Sequence, residues 1–187
     1  NLGNYYHSTG NYVRARELQE QAMTISEALG DRAGVEKACG NLGQCCLNTG
    51  DYGRTVSYFT QQYDVAKEMQ VVPDQARAAL GMGVALRLEV RANVRGRAAG
   101  ASELPGPHSS ASARGDDGVR EAEKWLQTAL DLGRTMARLH LAHLAFDTGL
   151  EDMALAHLQD YLSWFVARGR NWCAGCYQTR GEDAQML

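Results

Sequence analysis

The sequence has almost no net charge: 19 Lys and Arg against 22 Asp and Glu leave −3 over 187 residues. So even a balance gives no electrostatic footprint for nucleic acid, and without a long basic run there is no handle for an anionic membrane. No apolar stretch approaches the roughly 20 residues needed to cross a bilayer. The N-terminus, Asn1-Leu2-Gly3-Asn4, lacks the basic and apolar regions of a secretion signal. It also lacks an initiator Met and opens inside the repeat described below, so the chain reads as part of a longer protein. No Gly-rich phosphate loop and no nucleophile motif occurs, and the Glu and Asp pairs are scattered, so an enzyme is not expected. The five cysteines are an odd number and show no secreted disulfide framework, which favours a reducing compartment, cytoplasmic or nuclear.

What the chain does contain is self-similarity. Asn1-Leu2-Gly3 recurs forty residues later as Asn41-Leu42-Gly43, and Thr9-Gly10-Asn11-Tyr12 recurs at the same offset as Thr49-Gly50-Asp51-Tyr52. Thr148-Gly149 is a third copy, and a small residue follows each Gly by five positions: Ala15, Thr55 and Ala154. The register also sets Leu29-Gly30-Asp31-Arg32 against Met69-Gln70-Val71-Val72, and Asn41-Leu42-Gly43 against Gly81-Met82-Gly83. Each unit reads as two helices. In the first, Leu2 with Tyr5 and Tyr6 forms an apolar stripe, and Gly10 supplies the left-handed cap. The second carries Ala15, Leu18, Ala22, Ile25 and Leu29 at helical spacing and ends at Gly30. Small residues such as Gly3, Ala15 and Ala22 let backbones approach, and neither helix can bury its stripe alone. The expected fold is all-α, an α-solenoid of antiparallel helix pairs.

These residues resemble the tetratricopeptide repeat. Its pattern is met by Leu2, Gly3, Tyr6, Gly10, Ala15 and Ala22, then by Leu42, Gly43, Cys46, Gly50, Thr55, Phe59 and Gln62, and by Ala154, Leu158 and Tyr161. The forty-residue period and the Leu-Gly-Asp-Arg link are similar to the G-protein-signalling-modulator family and to kinesin light chains. Thr55 and Gln62 depart from the pattern by replacing small residues. Gly81 and Gly83 should weaken the third unit's first helix by about 1 kcal/mol each. Ala122, Trp125 and Ala129 align with Ala15, Leu18 and Ala22, placing a second helix at about 119–133, and the last unit then follows about eight residues early. Residues 1–90 are thus read as two units and the first helix of a third, and 118–168 as the remaining helices. Between them, 91–117 is rich in Arg, Ala, Gly, Ser and Pro and cannot bury enough apolar surface to offset ordering entropy. That segment is read as a disordered insertion, its Arg91, Arg95, Arg97 and Arg114 a basic segment or a solvated spacer.

In the family that these residues resemble, the first helices line a concave groove that takes an extended peptide. The resemblance puts Asn1, Asn4 and His7 of the first unit beside that groove, with Lys37, Asn41, Gln44 and Asn48 of the second. A carboxamide can donate to a peptide carbonyl and accept from a peptide N–H, so a ladder of Asn and Gln can hold a backbone. The alternative is that these residues are solvated helix faces. Asn4 and Asn41 fit the subset that clamps carboxylates, but Gly81 stands where an Arg would help.

Trp172-Cys173-Ala-Gly-Cys176 resembles the start of a MYND-type zinc finger, so 169–187 is read as the opening of such a finger. Cys173 and Cys176 would be half of a tetrahedral zinc site and need two more ligands, which the last eleven residues lack. No cofactor is expected from these residues alone, and zinc only where a finger is completed. The other readings are an unpaired surface pair and a redox pair, the last of which needs a βαβ context. His140, His143 and Asp147 share one helical face and read as polar surface rather than as a metal site. Cys45 and Cys46 occupy the places of Tyr5 and Tyr6 and read as packing; Trp125, Trp164 and Phe165 read as inter-repeat core. The function expected is a scaffold with a protein or peptide partner in its groove. The alternative is a zinc-finger regulator whose repeats position the finger.

Overall fold

The computed structural model describes residues 2–98 and 115–184, with side chains for 2–96 and 117–168. Among the described residues eight helices follow one another: α1 (Leu2–Ser8), α2 (Tyr12–Ala28), α3 (Arg32–Thr49), α4 (Tyr52–Glu68), α5 (Val72–Ala98), α6 (Gly115–Asp131), α7 (Ala137–Asp147) and α8 (Glu151–Ala184). Each packs chiefly on the next, and no strand occurs among the described residues. The architecture is an α-solenoid of antiparallel pairs.

The repeated turn residues explain the pairing. Asn11, Asp31 and Asp51 cap α2, α3 and α4, their side chains accepting from the backbone N–H groups of Arg14, Gly34 and Arg54. The chain leaves α1, α2, α3, α6 and α7 through a left-handed glycine: Gly10, Gly30, Gly50, Gly133 and Gly149 have φ between 66° and 91°. Gln70 takes the same turn with φ 58°, at the place where the unit before it has Gly30. Where the third unit should have Thr-Gly it has Glu89-Val90. With no left-handed cap, α5 does not stop there; it continues to Ala98, eight residues into the segment read as an insertion. The rest of that reading, 99–114, lies outside the described residues.

Pairs close through one repeated contact. A Cβ on Gly3 would meet Gln19, one on Gly43 would meet Phe59 at 3.0 Å, and one on Gly83 would meet Leu126 at 2.7 Å. Glycine in the first helix is therefore what seats the large residue of the second. Gln62, which departs from the small residue of the family pattern, is fully buried because Gly40 leaves it room, and its amide donates to the buried carboxylate of Glu36. Thr55, the other departure, is buried with its hydroxyl donating to the Asp51 carbonyl. The largest apolar cluster joins Leu86 and Val90 of α5, Ala122 and Leu126 of α6, and Leu141 and Leu144 of α7. Trp125 packs against it as expected.

The stripes of the terminal helices are less covered than the periodicity implies. Leu2 and Tyr5 on α1 are exposed, as is Phe165 on α8, because α1 packs chiefly on α2 and α8 on α7; Ile25 and Leu29 at the end of α2 are exposed as well. Phe165 is therefore not inter-repeat core.

Candidate functional site

The first helices of the units stand side by side. Besides its own partners, α5 touches α3 and α7, whereas no contact of similar extent joins α2 to α4 or α4 to α6 among the described residues. His7 of α1 also meets Asn48 of α3, so α1, α3, α5 and α7 form one row of neighbouring helices.

On α3 the two faces separate cleanly. Val35, Glu36, Ala38, Cys39, Leu42, Gly43, Cys45 and Cys46 are buried, while Lys37 and Asn48 are exposed and Asn41 and Gln44 are half-buried. Lys37, Asn41, Gln44 and Asn48 are spaced by three or four residues and so form one row up the helix. On α1, Asn4 is exposed and its side-chain oxygen accepts from Gln19 at 3.1 Å, which fixes the amide and leaves its NH₂ free of that bond. His7 Nε2 lies 3.0 Å from Asn48 Nδ2, and Asn48 Oδ1 is 3.4 Å from Gln44 Nε2. His7, Asn48 and Gln44 are thus linked across two units, and Asn4 stands one turn away on α1. Asn1 lies outside the described residues.

The buried thiols carry no reactivity. Cys39, Cys45 and Cys46 are free and enclosed. Burial pushes Cys39 and Cys46 up to about 11, and Cys45 in the same direction, so each stays a protonated, apolar filler. Cys173 and Cys176 fall on the backbone of α8, and their side chains lie outside the described residues. Among the described residues no group of three His, Cys, Asp or Glu is placed to hold a metal. Two open depressions, of about 400 and 220 Å³, lie at Gly149–Met153 and around Ser26, Gly30 and Gln61, away from the polar row.

Residues 1–68, just over a third of the chain, match the family model described as the tetratricopeptide repeat. Over those residues the chain is similar to the tetratricopeptide repeat. Beyond the matched residues, α5 with α6 and α7 with α8 continue the pairing, and Gly83 against Leu126 repeats the seat of Gly43 against Phe59. No curated protein matches the chain. Tetratricopeptide repeats are protein-interaction scaffolds and generally not enzymes.

A second polar group, on α5 and α7, escaped sequence reasoning. Arg87 of α5 is buried beside Asp147 of α7, its Nη1 3.5 Å from the carboxylate, and Arg91 Nε lies 3.8 Å from the other oxygen. His140 and His143 stand next to them, rings 6.3 Å apart. Burial, then the positive charge of Arg87, pushes His140 down to about 4, and the same two causes lower His143. The two guanidinium groups beside the single carboxylate oppose a metal ion there. The signal was available in the register: Arg87 occupies the place of His7, and Asp147 that of Asn48, so the two contacts are equivalent.

Proposed function

We propose that the concave row of this tetratricopeptide scaffold captures an extended segment of a partner protein, held through its backbone by Asn4, Asn41, Gln44 and Asn48, with His7 and Lys37 at the margins. The observation that carries the reading is the single accessible polar row on α3 opposite a wholly buried face. Side-chain amides already oriented by Gln19 and His7 lose less freedom on meeting a peptide backbone. The row offers both donors and acceptors, which suits backbone recognition with tolerance for the partner's side chains. The buried, protonated thiols fit a reducing compartment, cytoplasmic or nuclear. No helix among the described residues is long and apolar enough to cross a membrane.

The test compares proteins captured from cell extract by the native chain and by a triple variant, Asn4→Ala, Asn41→Ala and Gln44→Ala, after circular dichroism shows equal helicity. Partners lost from the variant alone support the row as the contact surface. An identical set from both sinks it. The second reading, in which the repeats position a C-terminal finger, rests on Trp172-Cys173-Ala-Gly-Cys176 and predicts one zinc per chain only when two further ligands follow.

A further inference from the structure

The contact between the first helices of neighbouring units differs along the row. Between α1 and α3 it is neutral, His7 to Asn48. Between α5 and α7 the equivalent places hold Arg87 and Asp147, with Arg91 one turn further along α5. The charges there do not cancel: Arg87 and Arg91 stand against one carboxylate, and both distances, 3.5 and 3.8 Å, are long for a guanidinium on an acid. The Arg87 side chain is only 8% exposed, and its Nε, the Nε of Arg91 and Nδ1 of His140 are enclosed without a hydrogen-bond partner. A buried cation with unspent donors is costly to leave so, and a second anion offsets that cost. Among the described residues the groups that act on Arg87 are Asp147, Arg91 and Tyr52, and His140 and His143 beside it are driven neutral. The group opens to solvent at Arg91, whose side chain is 39% exposed, and at His143.

We propose that this cation-lined recess between α5 and α7 takes a carboxylate side chain from an acidic segment of the partner, in competition with Asp147. The inference rests on the concave-row reading and deepens it: a segment running along the row meets carboxamides over α1 and α3 and guanidinium groups over α5. Backbone capture is then tolerant at one end and charge-selective at the other. The planar guanidinium is the group suited to a carboxylate, since it presents parallel donors that Lys lacks. Asp147 is the internal occupant that keeps Arg87 neutralised when no partner is bound.

The experiment uses a labelled Gly/Ser peptide with spaced glutamates and its counterpart with Gln at each Glu, read by fluorescence anisotropy against the full chain. The native protein is expected to bind the Glu peptide at least about tenfold more tightly. Arg91→Gln is expected to remove most of that preference while leaving Gln-peptide binding unchanged. Asp147→Asn is expected to tighten Glu-peptide binding severalfold, an outcome that a purely structural Asp147 does not produce. Should Asp147→Asn lower the melting temperature, the Glu peptide and not the Gln peptide should restore it. Equal binding of the two peptides by the native chain, or an unchanged preference in Arg91→Gln, overturns the recess. The triple amide variant separates the two readings. If it keeps both affinities the backbone row fails and the recess stands; if it loses both peptides while the native chain shows no Glu preference, the recess fails and the row stands.

Discussion

His140 shows how one placement sets a property of the whole protein. Its ring is largely enclosed, its Nδ1 has no hydrogen-bond partner, and it faces Arg87, with His143, Arg91 and Asp147 around it. The folded protein therefore holds it neutral, down to about 4, against about 6.5 in an unfolded chain. With the folded value the lower of the two, the unfolded state binds the proton first as pH falls. The stabilisation is complete above pH 6.5 and is lost progressively between 6.5 and 4, by at most about 3 kcal/mol. In His140→Leu that loss should be absent. Urea midpoints at pH 7 and pH 5 check it: the native chain should drop by more than the variant, and equal drops would place the pH sensitivity elsewhere. The register aligns Arg87 with His7 and Asp147 with Asn48, but the burial that neutralises His140 is not legible in the sequence. His140, His143 and Asp147 lie on one helix and are visible as a face, but the arginine that governs them is some sixty residues away.

At the scale of elements, glycine was read correctly at the turns and incompletely inside the helices. Gly10, Gly30, Gly50 and Gly149 fall at a fixed register and each takes the left-handed conformation that ends a helix, so the boundaries were legible. Gly81 looked like a weakness in α5. In the structure a Cβ there would come within 2.5 Å of the Phe59 ring, which already lies against Gly43. That contact joins helices of two units, so only the packing reveals what the residue is for. Gly81→Ala should accordingly lower stability. The helix gains about 1 kcal/mol from Ala, but a ring 3% exposed has little room to retreat, and overpacking costs about 1–3 kcal/mol. A net loss of up to about 2 kcal/mol in chemical denaturation is expected, and a gain would show that Phe59 moves freely. The same logic explains the end of α5. Val90 is buried among Leu86, Leu126 and Leu141, so a residue that replaces a cap glycine is also recruited into the core. Its neighbour Arg91 thereby becomes part of a folded helix, where composition had assigned it to an insertion.

For the whole molecule, stability is a sum over neighbours, since each helix meets little beyond the ones before and after it. The forty-residue offset made that architecture legible, and with it the row Lys37, Asn41, Gln44 and Asn48. It did not reveal how strongly each interface couples. The coupling between the second and third units includes Phe59 seated against Gly43 and Gly81, and Glu36 of α3, buried, accepting from Gln62 of α4 and at 3.0 Å from Arg77 of α5. The Arg77 end of that pair is half exposed and resolvates when the pair opens, so the apolar seat should dominate. Phe59→Ala removes a large buried side chain from this one interface, at a cost of about 3–5 kcal/mol. The helices on either side keep their own contacts, including the cluster built on Leu126. A globular core would respond by unfolding earlier as one unit; a solenoid should instead come apart at the weakened joint. Hydrogen exchange resolved along the chain distinguishes the two. In the native protein, amides of α3 and of α6 should open together, and in Phe59→Ala those of α1 to α4 should exchange faster while α6 and α7 keep their protection. Uniform acceleration across all of them would mean that the units are bound into a single cooperative block, and that the polar row and the cationic recess cannot open independently of one another.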